Sequence, residues 1–145
     1  MIRSEADTTV SVSPRIAFAF VADPYNLVKL IPGLTDVKNV STSHDSTARG
    51  QFQYQLAGVS LTGRFRDSQR DPPSLLVRSL TGAIDGTWRY RFEETPDGTA
   101  VSHSVEMQFP AAVRDRLAER AVQTYVDGEV STATETMRAF LNARE

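Results

Sequence analysis

The feature that most constrains the fold is a series of alternating segments that fills the middle of the chain. Between residues 35 and 109, apolar and polar residues alternate in six segments, and Ala57-Gly58 and Pro96-Asp97-Gly98-Thr99 are typical hairpin turns between them. A period of two is typical of strands that bury one face, and short turns join antiparallel strands. With a seventh segment near the N-terminus, the predicted strands are 2–12, 35–43, 50–57, 59–66, 74–81, 87–93 and 99–109.

The C-terminal segment, residues 111–144, is long enough to cover the apolar face of such a sheet. Its apolar residues recur at helical spacing, which predicts one unbroken amphipathic helix roughly 50 Å long. Short-range contacts alone do not hold a helix of this length in place, so its apolar stripe needs a broad partner surface. The predicted buried stripe consists of Val113, Leu117, Ala121, Tyr125, Thr132, Thr136 and Phe140.

Two short helices are predicted between the first and second strands. Ser13 is a suitable N-cap for a helix that starts at Pro14 and ends at Asp23-Pro24. The second helix ends at Pro32-Gly33, which turns the chain. A meander with one long covering helix is an α+β fold, and 145 residues suit a single domain over residues 1–145.

Composition narrows the classes of function. The formal net charge of −2 provides no basic field for nucleic acid. The chain has no cysteine, so a thiolate metal site and a cysteine nucleophile are excluded. The first seven residues lack the apolar core of a signal peptide, and no apolar run approaches the roughly 20 residues of a membrane span. We therefore expect a soluble cytoplasmic protein without stable membrane insertion.

Motifs for metal, nucleotide or nucleophilic chemistry are missing from the sequence. The two histidines are His44, in a loop rich in Ser, Thr and Asp, and His103, and they do not form an H-x-x-x-H pair. No serine lies in a G-x-S-x-G turn, and there is no glycine-rich phosphate loop. We expect no metal and no tightly bound cofactor.

His103 is the candidate catalytic residue. Strand parity places it on the apolar face together with Val101, Val105 and Met107. Histidine titrates near neutrality, so in a dry cavity it could act as a general acid or base toward a ligand carbonyl. The alternative, which is more common, is a structural histidine bonded to a neighbouring group.

Short motifs give the chain a resemblance to a known superfamily. They are Val12-Ser13-Pro14, Phe18-Ala19-Phe20-Val21-Ala22-Asp23, Leu30-Ile31-Pro32-Gly33-Leu34, Gly86-Thr87-Trp88-Arg89-Tyr90 and Pro96-Asp97-Gly98-Thr99-Ala100-Val101. In this order they resemble the START-related SRPBCC superfamily, and within it the polyketide cyclase/dehydrase-like group. Asp23, Pro32-Gly33 and Asp71-Pro72-Pro73 also resemble the branch that is named after a carbon monoxide dehydrogenase subunit, although Phe109-Pro110-Ala111-Ala112-Val113 replaces the glycine-rich stretch of that branch.

The resemblance implies a helix-grip fold, in which a curved seven-stranded antiparallel sheet wraps around the long C-terminal helix and encloses a deep cavity. Members of the superfamily bind lipids, sterols, polyketides or plant hormones, and some are cyclases, dehydratases or oxygenase domains. Their shared motifs identify the fold better than the function.

Aromatic and polar side chains on the inner strand positions are candidates for lining that cavity. Most such residues are ordinary core, but a curved sheet has more concave surface than one helix fills, and tyrosine offers both an apolar ring and a hydroxyl. The predicted ligand-binding residues are Tyr54, Phe65, Trp88, Tyr90, His103, Met107, Tyr125, Gly128 and Glu129.

Gly128 and Glu129 are unusual residues for the middle of a helix. Glycine there costs about 1 kcal/mol relative to alanine, which suggests close packing on the sheet, a kink, or room for a ligand, with packing the favoured explanation. Glu129 is interpreted either as a buried acid paired with His103 or as a residue that flanks the apolar stripe.

The functional hypotheses follow from the single titratable group expected on the concave face. Catalysis needs several converging groups, so we favour a carrier or sensor for a lipid-like, polyketide-like or aromatic molecule. One alternative is a cyclase or dehydratase-type enzyme with His103 as general acid or base, and another is an accessory or assembly factor that docks a protein or membrane partner. The outer-face residues Arg64, Arg66, Arg89 and Arg91 form a solvated surface or an interface, which leaves a homodimer open.

Overall fold

In the computed structural model, which describes residues 1–143, seven strands form one antiparallel sheet. The order across the sheet is β1-β7-β6-β5-β4-β3-β2, so β2 to β7 form a meander and β1 lies at the edge next to β7. All seven predicted strands are confirmed. Their bounds are β1 Ile2–Val10, β2 Leu34–Thr42, β3 Ala48–Leu56, β4 Val59–Asp71, β5 Leu75–Gly82, β6 Asp85–Thr95 and β7 Gly98–Gln108.

The two predicted short helices are present between β1 and β2. Helix α1 spans Pro14–Ala22, and the hydroxyl of its N-cap residue Ser13 accepts a hydrogen bond from the Ile16 amide. A 3₁₀ turn, Pro24–Asn26, connects α1 to α2, which spans Leu27–Leu30. These helices lie against the sheet and against the C-terminal helix.

The C-terminal helix is interrupted, which corrects the prediction of one unbroken helix. A short helix α3, Ala111–Arg114, is separated from the long helix α4, Glu119–Asn142, by residues 115–118. Ala118 adopts an extended backbone conformation (φ −62°, ψ 148°) and caps α4. The predicted end at Arg144 lies outside the described residues.

This break shifts the buried stripe of α4 by about one residue from the predicted one. Val113 is buried as predicted, but Ala121, Tyr125, Thr132 and Phe140 are exposed. A chain that leaves helical geometry for a few residues re-enters it with a new rotational phase, so a stripe extrapolated across the break is wrong. The buried residues of α4 are Val122, Val126, Glu129, Val130, Ala133, Thr134, Met137 and Leu141.

Helix α4 packs beside β1 and is held there by polar contacts at both of its ends. Near its first turns, Gln123 Nε2 donates to the Arg3 carbonyl at 2.6 Å, and Ser4 Oγ donates to Asp127 Oδ1 at 2.6 Å. At its C-terminal end, the Ser11 amide donates to Asn142 Oδ1 at 2.9 Å. These bonds fix the rotation of α4 and therefore which of its side chains face the sheet.

The predicted parity of the inner face is confirmed in the central strands. In the β6–β7 pair, Trp88 lies opposite Val105, Tyr90 opposite His103, and Phe92 opposite Val101, and all six side chains are buried. Side chains that are paired across an antiparallel ladder point to the same face of the sheet. The concave face is therefore a continuous apolar layer into which a few polar groups are inserted.

Candidate ligand-binding site

A pocket of about 330 Å³ lies where the C-terminal helix is interrupted. It is bounded by the start of β1, the end of β7 and the α3–α4 junction. Its apolar wall includes Ile2, Met107, Phe109, Leu117 and Val122. The exposed polar side chains in its lining are Gln108, Arg114 and Glu119. An apolar wall with a few polar groups is the usual composition of a small-molecule site.

Two side chains in that wall separate the pocket from polar groups deeper in the protein. Met107 Sδ lies 3.4 Å from the indole nitrogen of Trp88, which donates a hydrogen bond to it. The ring of Phe109 packs against Tyr54, with 6.4 Å between ring centroids. Since Met107 is unbranched and flexible, its rotamer decides how far the pocket reaches toward Trp88.

Behind Phe109, Glu129 joins α4 to β3 and to the loop after α2. The Tyr54 hydroxyl donates to Glu129 Oε1, and the Gly33 amide donates to Glu129 Oε2 at 2.8 Å. A Cβ at Gly33 would lie 2.5 Å from Glu129 Oε2, so this close approach requires glycine. Glu129 is only 8% exposed, and its partners are not His103, so the predicted pairing of these two residues is wrong.

The charge of Glu129 also acts on both nearby tyrosines. Burial, together with the Glu129 carboxylate, raises the pKa of Tyr54 well above its ordinary value. Burial and then the same carboxylate raise the pKa of Tyr125 to about 12. Both hydroxyls therefore remain protonated at neutral pH and act as hydrogen-bond donors. The structure thus brings together three of the predicted site residues, with Tyr125 at the surface (39% exposed) and Tyr54 inside.

We expect Glu129→Ala to lower the free energy of unfolding by about 2–4 kcal/mol, because it leaves the Tyr54 hydroxyl and the Gly33 amide buried without an acceptor. Urea denaturation measures the change. Glu135→Ala is the matched control, since Glu135 is exposed on the same helix. A loss no larger than that of the control would show that these two hydrogen bonds contribute little.

Tyr90 and His103 form a second polar pair, at the centre of the concave face. Their rings are stacked, with centroids 4.2 Å apart and an interplanar angle of 12°. Neither the Tyr90 hydroxyl nor either ring nitrogen of His103 has a hydrogen-bond partner within residues 1–143. Burial lowers the pKa of His103 to about 3 and raises the pKa of Tyr90. At neutral pH the imidazole is neutral, with one donor and one acceptor nitrogen.

A buried ion pair, Arg78–Asp67, was missed by sequence reasoning. Arg78 Nε donates to Asp67 Oδ1 at 2.8 Å, and Asp67 Oδ2 accepts from the Ala48 amide at 2.8 Å. The two terminal nitrogens of Arg78 donate to the carbonyls of Val21 and Ala22, at 2.8 and 2.7 Å. Arg78 therefore ties the concave face to the C-terminal end of α1, where a cation is favourable.

The strand pattern contained a signal for this pair. Arg78 lies between Leu76 and Leu80 on the inner parity of β5, and Asp67 follows Phe65 on the inner parity of β4. A charge at a position that the pattern assigns to the core must be paired. The guanidinium also lies 6.0 Å from the ring centroid of Phe65, another predicted site residue.

Gly128 is the predicted site residue that lies apart from the others. It is exposed, and no atom outside its own stretch of helix lies within 4 Å of the position a Cβ would occupy. The explanation by close packing is therefore wrong, because the buried stripe of α4 does not pass through this position. Within the described part of the chain, no group of three or more His, Asp or Glu side chains is arranged to hold a metal ion, and no helix is long and apolar enough to span a membrane.

Comparison with protein families identifies the chain. The family model described as "Polyketide cyclase / dehydrase and lipid transport" matches residues 1–139. The chain belongs to this family. The resemblance to the SRPBCC superfamily and to its polyketide cyclase/dehydrase-like group is thereby confirmed. No curated protein sequence matches this family member.

Solved structures similar to this polyketide cyclase/dehydrase family member confirm the helix-grip fold. A protein of Thermus thermophilus superposes with a TM-score of 0.83 at 12% identity, over 99% of both chains. The Zhui aromatase/cyclase of a Streptomyces species gives 0.79 at 14% identity, over 98% of this chain and 94% of that one. The Aha1 dimer of Colwellia psychrerythraea gives 0.67 at 10% identity, over 98% and 97%.

Proposed function

We propose that this protein binds a hydrophobic small molecule in the pocket beside the α3–α4 break and acts as a carrier or sensor. The observation that carries the proposal is the pocket itself, with its apolar wall of Ile2, Met107, Phe109, Leu117 and Val122. Its volume of about 330 Å³ lies within the range of small-molecule sites. Membership of a family described by cyclase, dehydrase and lipid transport activities supports a ligand of this chemical class.

The groups behind the pocket define the inner end of the ligand. A change in the Met107 rotamer would extend the pocket toward Trp88 and the Tyr90–His103 pair, whose polar atoms have no partner in the described residues. A buried polar atom without a partner costs free energy, which a hydroxyl or carbonyl group of a ligand would recover. We therefore expect an elongated apolar ligand with a neutral polar group at its inner end.

The state of His103 favours binding over catalysis. A histidine whose pKa is lowered to about 3 is a weak base at neutral pH, and almost none of it is in the acidic form. It still provides one hydrogen-bond donor and one acceptor. The cyclase or dehydratase alternative requires efficient proton transfer at this residue, so we assign His103 to ligand recognition.

A bulky side chain in the pocket should abolish uptake of an apolar probe. We expect Leu117→Trp to weaken the binding of the fluorescent probe 1-N-phenylnaphthylamine at least about ten-fold, because the indole would occupy the space that an apolar ligand needs. The measurement is a fluorescence titration at pH 7. Val28→Trp is the matched control, since Val28 is an exposed apolar residue of α2 outside the pocket.

Two results would contradict the carrier proposal. One is wild-type protein that takes up no apolar probe and that releases no small molecule in native mass spectrometry after purification from its own host. The other is an affinity that is equal in wild type and Leu117→Trp, which would place the probe elsewhere.

A further inference from the structure

We propose a second binding site on the outer face of the sheet, for a molecule that carries a phosphate group. A depression of about 300 Å³ crosses β2 to β5 on the face opposite the concave core. Three arginines line it, Arg49, Arg64 and Arg66, together with hydroxyl and amide side chains, and no carboxylate does. An adjoining depression shares Gln51, Arg64 and Thr81 and adds a further cation, Lys38.

Strand register shows that these side chains form two rows on one face. In the first row, Ser41 pairs with Arg49, Arg49 with Arg66, and Arg66 with Ser79. In the second row, Lys38 pairs with Gln51, Gln51 with Arg64, and Arg64 with Thr81. Because side chains of directly paired residues lie on the same face, the cations are side by side and flanked by neutral donors.

This arrangement is unfavourable for the protein alone. Arg49 and Arg66 are directly opposite each other on neighbouring strands, and like charges at such positions repel. Within residues 1–143, the ion pairs join Arg3 to Glu106 and Arg78 to Asp67, so no carboxylate neutralises the three arginines. An anion bound between them would remove the repulsion.

Local hydrogen bonds orient the donors toward such an anion. Arg49 Nε donates to Ser41 Oγ at 3.2 Å, which leaves both terminal nitrogens of that guanidinium available. The amide oxygen of Gln51 accepts from Asn39 at 2.7 Å, so the NH₂ group of Gln51 remains as a donor. Guanidinium groups match phosphate oxygens with paired hydrogen bonds, and hydroxyl groups can complete the coordination.

The distribution of charge on the outer face favours a compact anion over an extended one. Toward the β1 edge, the same face presents Glu5, Asp7 and Glu106, whose paired residues are Ser104, Ser102 and Arg3. These carboxylates would repel a polyanion that crossed the whole sheet, whereas the depression over β2 to β5 has none. The site therefore suits one phosphate or diphosphate group rather than a nucleic-acid backbone.

Calorimetric titration with pyrophosphate tests the proposal. We expect wild-type protein to bind pyrophosphate, and we expect Arg49→Gln and Arg66→Gln each to weaken binding at least about ten-fold. Arg89→Gln is the matched control, because Arg89 is exposed on the outer face of β6 but does not line this depression. No pyrophosphate binding, or an equal loss in Arg89→Gln, would overturn the proposal.

Two further measurements identify the source of the phosphate and check the repulsion. Retention on phosphatidylcholine vesicles that contain a phosphoinositide, lost in Arg66→Gln, would indicate a lipid headgroup; pyrophosphate binding without retention would indicate a soluble ligand. Tighter binding of an oligonucleotide than of pyrophosphate would contradict a compact site. Arg49→Gln should also raise the Tm by about 1–3 °C in low salt and less in 0.5 M salt, and a lowered Tm would contradict the inferred repulsion.

Discussion

Replacing Asp67 with alanine is expected to lower the free energy of unfolding by about 3–5 kcal/mol, among the largest effects of any single substitution in this chain. The carboxylate accepts from Arg78 and from the Ala48 amide, and both oxygens are fully buried. Its removal leaves a guanidinium inside the protein with only two backbone carbonyls as partners. A buried charge without a counter-charge is far more costly than the loss of an exposed ion pair.

A double variant separates the cost of an unpaired charge from the value of the pair itself. We expect Asp67→Leu with Arg78→Met to be more stable than either single variant, because neither charge then remains buried alone. Arg89→Met controls for the loss of an arginine from the same sheet at an exposed position. Equilibrium urea denaturation gives the free energies. If Asp67→Ala costs less than about 1 kcal/mol, water reaches Arg78 and the pair is not dry.

The strands were predictable because their pattern records a local physical fact. Each strand buries one face, so alternation over a few residues is enough to place it, and turns such as Ala57-Gly58 show where it ends. Both of those residues have the positive φ that such a hairpin needs, 53° and 76°. The position of His103 on the concave face follows from the same local rule.

Side-chain partners were less predictable because they depend on how elements rotate and meet. Glu129 and Tyr54 are 75 residues apart, and their contact requires the rotation that α4 takes up after the break at 115–118. Apolar periodicity does not report that phase. Arg78 was overlooked for the opposite reason: its local signal, a charge on an inner strand position, contradicts the pattern and marks a buried pair.

Acidification should destabilise the protein through His103, by on the order of 4 kcal/mol between pH 7 and pH 3. Burial lowers the pKa of this imidazole from 6.5 to about 3 in the folded state. Between those two values the unfolded chain binds a proton that the folded protein does not. The free energy of unfolding therefore falls as the pH decreases through this window, and the penalty is absent above about pH 7.

The test compares wild type with His103→Phe, because carboxylates also titrate in this range and only a difference isolates the imidazole. Phenylalanine can keep the stack on Tyr90 and removes two polar atoms that have no partner within the described residues. We expect the variant to be at least as stable as wild type at pH 7 and to gain on it by about 1.4 kcal/mol for each pH unit below 6. His44→Phe, at an exposed turn position, should follow the wild-type curve. A constant difference between wild type and His103→Phe from pH 7 to pH 4 would instead mean that water or a bound molecule solvates the imidazole, which would locate His103 in an open part of the cavity.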